Sequence, residues 1–326
     1  MSGERTDAEL GEVAHWRIVT VMRAYSTNAL VLDNAERRWN RATKWQELLS
    51  TVMEASAITP ESIRLDGRVA VVTGAAQGIG AACALALARF GCDVAICDRN
   101  QSLLADVAQA IRAMGRACVM DAIDVRDGDA VRSHLARVGL ELGRVDVLVN
   151  NAGGGFMADF LDVNDKGQDS LIRENFTSVT NFIRGCDALF PSAGASIISM
   201  TSIEAHRAAP GFAVYAAMKT AVMSLSKSLA LELGSRQIRA NCIAMDVIPT
   251  PGIGVDMGDH TPLPIRAHTD DVVGALIYLA SDWSRFVTGT TIHIDGGNRA
   301  AAGWVRQTDG SFGTSVRNTG DPMAAL

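Results

Sequence analysis

The chain predicts a doubly wound α/β fold: one seven-stranded parallel sheet in a single main domain, with a helical N-terminal extension. Three observations carry this. From Leu65 onward, short β-branched apolar runs alternate with longer Ala- and Leu-rich stretches. Strands alternating with helices of that length need right-handed crossovers and a sheet covered on both faces. The first such run, Val69 to Thr73, leads directly into a glycine-rich turn and a helix. Hydrophobic residues make up 48% of the 326 positions and charged ones 20%, which is ample for a core and too apolar for a disordered chain.

In chain order, residues 1–64 form a separate N-terminal extension. Residues 16–22 are apolar, and residues 34–55, with Trp39, Trp45, Leu48, Leu49 and Val52, read as helical. Pro60, Glu61 and Ser62 read as a linker. The main domain spans residues 65–298. Its strands are expected at 69–73, 93–97 (closing at Asp98), 117–120, 145–149, 196–200, 238–244 and 291–294, each an apolar run suited to a sheet buried on both faces. Helices are expected after Gly80 as far as Arg89, over 101–114, up to Leu142, and over 215–233. Residues 299–326 form a C-terminal tail too polar for a core element.

Bulk properties exclude several classes. A net charge of −6 leaves no basic footprint for nucleic acid. The cysteines at 83, 92, 97, 118, 186 and 242 are scattered, with no Cys-x-x-Cys pair and no metal-ligand spacing. Reduced thiols in a cytoplasmic protein are the simplest account. The sequence has no 18-residue apolar run and no signal-peptide pattern, so no membrane association is expected.

Two stretches carry chemistry. In the turn Gly74-Ala-Ala-Gln77-Gly78-Ile79-Gly80, glycines let the backbone approach a pyrophosphate, and the free N–H groups at the following helix start favour its charge. Asp98 closes the second strand, where a carboxylate accepts hydrogen bonds from ribose hydroxyls and repels a 2′-phosphate. Gln77 adds no positive charge. Arg99 could serve a phosphate, but the acid beside it favours NAD over NADP. The second stretch ends in Tyr215-Ala-Ala-Met-Lys219, which sets the two side chains on one helix face. An ammonium beside a phenol lowers its pKa from about 10 towards the working range. Ser202, at the end of the fifth strand, could hold a substrate oxygen opposite. A core tyrosine with a solvated lysine would give the same spacing.

Taken together, residues 66–298 resemble the short-chain dehydrogenase/reductase family in its single-domain, Rossmann-fold form. Thr73 to Gly80 resembles its cofactor loop, Asp124-Val125 its adenine-contacting pair, and Asn150-Asn151-Ala152-Gly153 the motif after its fourth strand. Asn175 falls at its helix asparagine. Ser202, Tyr215 and Lys219 match its catalytic trio, with the serine thirteen residues before the tyrosine. The resemblance implies that Tyr215 is the general acid–base and that Lys219 lowers its pKa and holds the nicotinamide ribose. It further implies that Ser202 binds the reacting oxygen and that Asn175 binds a water linking Lys219 to solvent. Ile248 and Thr250 would border the nicotinamide. No metal is implied; a small-molecule alcohol or ketone substrate and a homodimer or homotetramer are.

One departure stands out. Where the family has Pro-Gly after the sixth strand, this chain has Met245-Asp246. Asp246 either brings negative charge to the nicotinamide or points to solvent. Residues 251–266 correspond to a substrate-covering loop. The expected activity is NAD-dependent interconversion of a secondary alcohol and a ketone. The alternatives are a 3-oxoacyl-thioester (acyl-carrier) reductase and a non-catalytic dinucleotide-binding relative.

Overall fold

The computed structural model describes residues 58–251, 261–307 and 310–314. The expected extension helices, and residues 252–260 of the substrate-covering loop, lie outside the described residues. Strands β1 (Val69–Thr73), β2 (Asp93–Asp98), β3 (Cys118–Ala122), β4 (Val147–Asn150), β5 (Ala195–Ser202), β6 (Ile238–Met245) and β7 (Thr291–Ile294) form one sheet in the order β3-β2-β1-β4-β5-β6-β7. Every pairing in it is parallel. The doubly wound expectation holds.

Strand ends differ from expectation where pairing decides them. β3 continues to Ala122 because β2 pairs with it as far as Asp98, and β5 continues to Ser202 because β6 pairs with it as far as Met245. β4 begins two residues late because Asp146 is spent on its neighbour. The Asp146 N–H donates to Val69 O and its carboxylate accepts the Val69 N–H at 2.9 Å.

Helices α1 (Gly78–Arg89), α2 (Gln101–Ala113), α3 (Gly128–Leu142), α4 (Asp165–Ile172), α5 (Ser178–Gly185), α6 (Ala213–Glu232), α7 (Thr269–Ala280) and α8 (Asn298–Ala301) complete the main domain. Their starts follow the sequence. Asn100 caps α2, Asp127 caps α3 and Asn164 caps α4, each side chain accepting from a first-turn N–H. Gly143 ends α3 in the left-handed conformation that glycine tolerates.

The period-two alternation of strands divides the core into two layers. Val72 and Ile198 pack with Leu87, Leu104 and Leu276 on one face, while their neighbours Val71 and Ile197 pack with Leu135, Phe182 and Val222 on the other. The strand order reverses between β1 and β4. Loops leaving those two strands therefore part, and open a crevice at their carboxyl ends. A five-residue π-helical segment, Arg173–Thr177, interrupts the helical run between α4 and α5 beside that crevice. Insertions of this kind concentrate at functional sites. In the tail, β8 (Val305–Arg306) pairs antiparallel with β9 (Phe312–Gly313), and Gln307 beside them is buried. Among the described residues, no helix is long and apolar enough to cross a membrane.

His134 on α3 is 2% exposed, with Nδ1 2.7 Å from the Asp121 carboxylate and Nε2 without a partner. Burial holds its pKa below the ordinary imidazole value, against the opposing pull of Asp121. The unfolded chain therefore takes up the proton first. The stability contributed is complete above about pH 6.5 and is lost as the pH falls below it. The melting temperature should drop between about pH 7.5 and 5.5, and His134→Gln should flatten that slope. Melting curves across the range check this; equal slopes would exclude His134 as a contributor.

Candidate active site

The crevice is a cavity of about 800 Å³ at the carboxyl ends of the strands. One wall is the glycine loop between β1 and α1. Gly74 and Gly78 have φ of +65° and +58°, conformations that L side chains rarely adopt. A Cβ on Gly80 would lie 2.0 Å from Gly74 O and 2.5 Å from Asn151 Nδ2, so the α1 start is packed directly on the loop. Gln77 precedes α1 without a side-chain capping bond, and so leaves the first-turn donors facing the cavity. Gly74, Gln77, Gly78, Ile79 and Gly80 all line it. The donor set and the bare glycine surface fit a pyrophosphate.

Asn151, Ala152 and Gly153 form the opposite lip, where the chain leaves β4. The Thr73 hydroxyl accepts the N–H groups of Asn151 and Ala152 at 3.0 and 2.9 Å, and Asn151 Nδ2 donates to Thr73 O and Gly74 O. Asp98 and Arg99 line the cavity at the end of β2. The Asp98 carboxylate accepts the N–H groups of Ala76 and Asn100 at 3.1 and 2.9 Å, one on each oxygen. A carboxylate has about four acceptor positions, so it can still take two ribose hydroxyls. Arg99 leans across to Glu174 at 3.7 Å. Val125 lines the cavity and Asp124 does not. The Asp124 carboxylate is held by the Arg126 guanidinium at 2.6 Å, which keeps its pKa below the usual range.

Ser202, Tyr215 and Lys219 meet at the far end of the same cavity. Lys219 is 5% exposed and donates to Met200 O at 3.1 Å, with its Nζ 5.5 Å from the centre of the Tyr215 ring. Burial pulls its pKa down to about 8, opposed by the Glu174 carboxylate. The Ser202 hydroxyl accepts the Glu204 N–H at 3.2 Å, which leaves its own proton to donate. Thr201 beside it is spent across the sheet on Ile243 O. The two neighbouring hydroxyls are thereby told apart.

The expectation for the tyrosine is corrected. The Tyr215 phenol is pushed above its ordinary value, chiefly by burial and further by Glu204, while Ser202 pulls it down. Lys219 Nζ lies over the Tyr215 ring, bonded to the strand carbonyl, and is not among the groups that offset that burial.

Asn175 is fully buried in the π-helical segment and does not line the cavity. Its Nδ2 donates to Gly154 O and Leu171 O at 2.8 and 3.0 Å, and its Oδ1 accepts the Gly154 N–H at 3.2 Å. Both amide donors are thus committed, and Oδ1 keeps one acceptor position. Gly153 is pressed between the two polar groups. A Cβ there would lie 2.7 Å from Asn175 Oδ1 and 2.9 Å from Lys219 Nζ.

Met245 and Asp246 also line the cavity. Asp246 does not point freely to solvent. One oxygen accepts the Val247 N–H at 2.8 Å, and the other accepts Asn298 Nδ2 from α8 at 2.6 Å. The side chain supplies the turn restraint that Pro-Gly would give and ties the start of the tail to the site. Ile248 and Thr250 follow on the cavity wall, and a Cβ on Gly78 would touch Thr250 at 3.3 Å.

Sequence reasoning missed Ile123, Gly154, Glu174, Met200 and Phe212 as lining residues. Gly154 and Gly155 extend the glycine run at 153 and were visible as such. Glu174 and Phe212 carried no signal, since only the fold turns them inward.

Gly80→Ala should cost dinucleotide affinity more than about tenfold, because Gly74 O must move and with it the loop N–H groups. Titration of NADH fluorescence on the variant checks this. Unchanged affinity would show that the loop does not hold the pyrophosphate.

Comparison with known proteins agrees with the geometry. The family described as enoyl-(acyl carrier protein) reductase matches residues 74–299. A 3-oxoacyl-[acyl-carrier-protein] reductase of Staphylococcus epidermidis is 36% identical over 239 residues, 70% of this chain and 97% of the relative. A carveol dehydrogenase from Mycobacterium avium, solved with NAD, is 28% identical with a TM-score of 0.68, covering 72% of this chain and 98% of that one. A blue fluorescent protein from a metagenomic library, solved with NADPH, is 32% identical with the same TM-score and the same coverage. With the glycine loop, the Tyr-x-x-x-Lys helix and the sheet order in agreement, the chain belongs to the short-chain dehydrogenase/reductase family of oxidoreductases.

Proposed function

We propose that this protein is an NAD-dependent dehydrogenase that interconverts a secondary alcohol and a ketone, with Tyr215 as general acid–base. The observation that carries the reading is that Ser202, Tyr215 and Lys219 line the same cavity as the glycine loop and Asp98. The glycine loop would hold the pyrophosphate, Asp98 the adenosine ribose, Lys219 the nicotinamide ribose, and Ile248 with Thr250 the carboxamide side. The bound dinucleotide supplies the acceptor or donor of hydride.

The protein's part is positioning and proton transfer. Ser202 donates to the substrate oxygen. Tyr215 gives that oxygen a proton in reduction and takes one from it in oxidation. Its raised pKa keeps the phenol protonated at neutral pH, which suits the reducing direction. Oxidation should quicken as the pH rises, and reduction should slow. Lys219, with a pKa of about 8, is largely cationic at neutral pH, which suits it to hold the ribose hydroxyls beside Tyr215.

NAD over NADP is supported by Asp98, whose charge opposes a 2′-phosphate, and by Arg99, whose charge is offset by Glu174. The acyl-thioester alternative is favoured by the 36% identity to a 3-oxoacyl-carrier reductase. A cytoplasmic location is proposed from six unpaired thiols, five of them buried. A homodimer or homotetramer is proposed from the family resemblance.

Tyr215→Phe should reduce turnover at least about a hundredfold while leaving NADH binding within about threefold of the parent. Stopped-flow rates and fluorescence titration measure the two. Activity unaffected by the substitution would sink the mechanism. In parallel, NAD should be preferred over NADP in kcat/KM, and Asp98→Ala should shrink that ratio. An NADP preference in the parent would favour the acyl-thioester reading.

A further inference from the structure

We infer that the substrate is an uncharged, predominantly apolar secondary alcohol or its ketone, held against an apolar shelf built from the loops after β4 and β5. The inference rests on the dehydrogenase reading and narrows it. The shelf begins at the reacting group. Phe212 lines the cavity and meets Tyr215 edge-on, with ring centres 6.3 Å apart and planes at 70°. Gly155 lies flat against both rings; a Cβ there would come within 3.2 Å of Tyr215 and 3.3 Å of Phe212. Nothing polar separates the phenol from this wall.

Outward from Phe212 lie further apolar side chains, with Asp159 and Asp162 exposed among them. Phe156 and Phe160 line a small second crevice that shares Phe212 and Tyr215 with the main cavity and is walled otherwise by aliphatic side chains and Gly211. Phe156, Met157, Phe160 and Leu161 are 45, 77, 59 and 92% exposed. Four large apolar side chains so exposed within six residues need a reason. The loop that carries them is pinned to the reacting region, since the Ala158 N–H donates to Gly211 O at 3.0 Å and Met157 packs over Gly211. Continuity with the catalytic tyrosine identifies the occupant as the carbon skeleton of the substrate.

Among the described residues, charge on the other side opposes the acidic alternatives. Glu204 and Asp246 both line the cavity near Ser202 and Tyr215. Arg207, the cation next to them in the chain, is bound to the Glu204 carboxylate at 2.7 Å. A hydroxy acid or sugar acid would meet carboxylates where it needs a cation, and its hydroxyls would lie unpaired against Phe212 and Phe156. Desolvating such groups without partners is costly. An apolar skeleton meets neither penalty.

The test uses the full chain with NAD⁺ and four alcohols: 4-isopropylcyclohexanol, propan-2-ol, 3-hydroxybutyrate and gluconate. The expected kcat/KM for 4-isopropylcyclohexanol exceeds those of both acids by at least about tenfold. In Met157→Ser, the ratio of kcat/KM for 4-isopropylcyclohexanol over propan-2-ol should fall about tenfold. Met157 is 77% exposed, and a melting curve of the variant checks that folding is intact. Either acid matching the cyclic alcohol, or a ratio unchanged in Met157→Ser, overturns the inference while the dehydrogenase reading stands. No turnover of any of the four, propan-2-ol included, overturns that reading and the inference with it.

Discussion

Everything at the site depends on a clasp between the ends of β1 and β4. Thr73 is 2% exposed, and its single hydroxyl accepts two backbone N–H groups from the far side of the crevice. Asn151 returns two bonds to the carbonyls of Thr73 and Gly74. Each such bond contributes about 0.5–1.5 kcal/mol, but leaving a buried donor without a partner costs about 1–3 kcal/mol. The strand order reverses here, so these loops have no sheet neighbour to hold them. The clasp replaces the missing ladder. It fixes the distance across which the glycine loop and the 151–155 lip face each other, and Gly80 and Gly153 are glycine because a side chain at either would break that spacing.

Burial then sets the electrostatics of the Tyr215 end of the cavity. Tyr215 and Lys219 shift in opposite directions for one reason: each neutral form is favoured when water is removed. The phenol rises and the ammonium falls to about 8, so two groups of nearly equal proton affinity when free are driven apart. Glu174 moderates the lysine shift by its charge, from the π-helical segment, and also pairs with Arg99 at the end of β2. One carboxylate therefore acts on both ends of the cavity. Asp246 plays the matching part on the opposite wall, where its two hydrogen bonds join the β6 turn to α8.

Much of this was legible in the sequence. Strand positions could be read from apolar runs because a sheet buried on both faces leaves little else to place there. The glycine loop, Asp98, Ser202, Tyr215 and Lys219 could be read because each follows a strand or starts a helix, where spacing alone fixes direction. Other features are not local. Asp124 turns to Arg126 and away from the cavity, a choice between two nearby partners that spacing does not decide. Asn175 spends its amide on Gly154 and Leu171, which only the π-helical insertion brings into reach. The tyrosine shift has the wrong sign from sequence because a Tyr-x-x-x-Lys pair reports proximity and says nothing of burial. Whether Asp246 faces the nicotinamide or solvent is open in the sequence, because its partner Asn298 lies fifty-two residues away.

The central claim is that this cavity moves a hydride between a carbinol carbon and a bound nicotinamide. The most direct measurement follows an isotope. A secondary alcohol deuterated at its carbinol carbon is incubated with the full-length protein and NAD⁺, and the reduced dinucleotide is recovered for mass analysis. The account predicts one deuterium in each reduced nicotinamide, on one face of the ring only. Reduced cofactor formed without the label, or a protein that binds the dinucleotide and never reduces it, would contradict it.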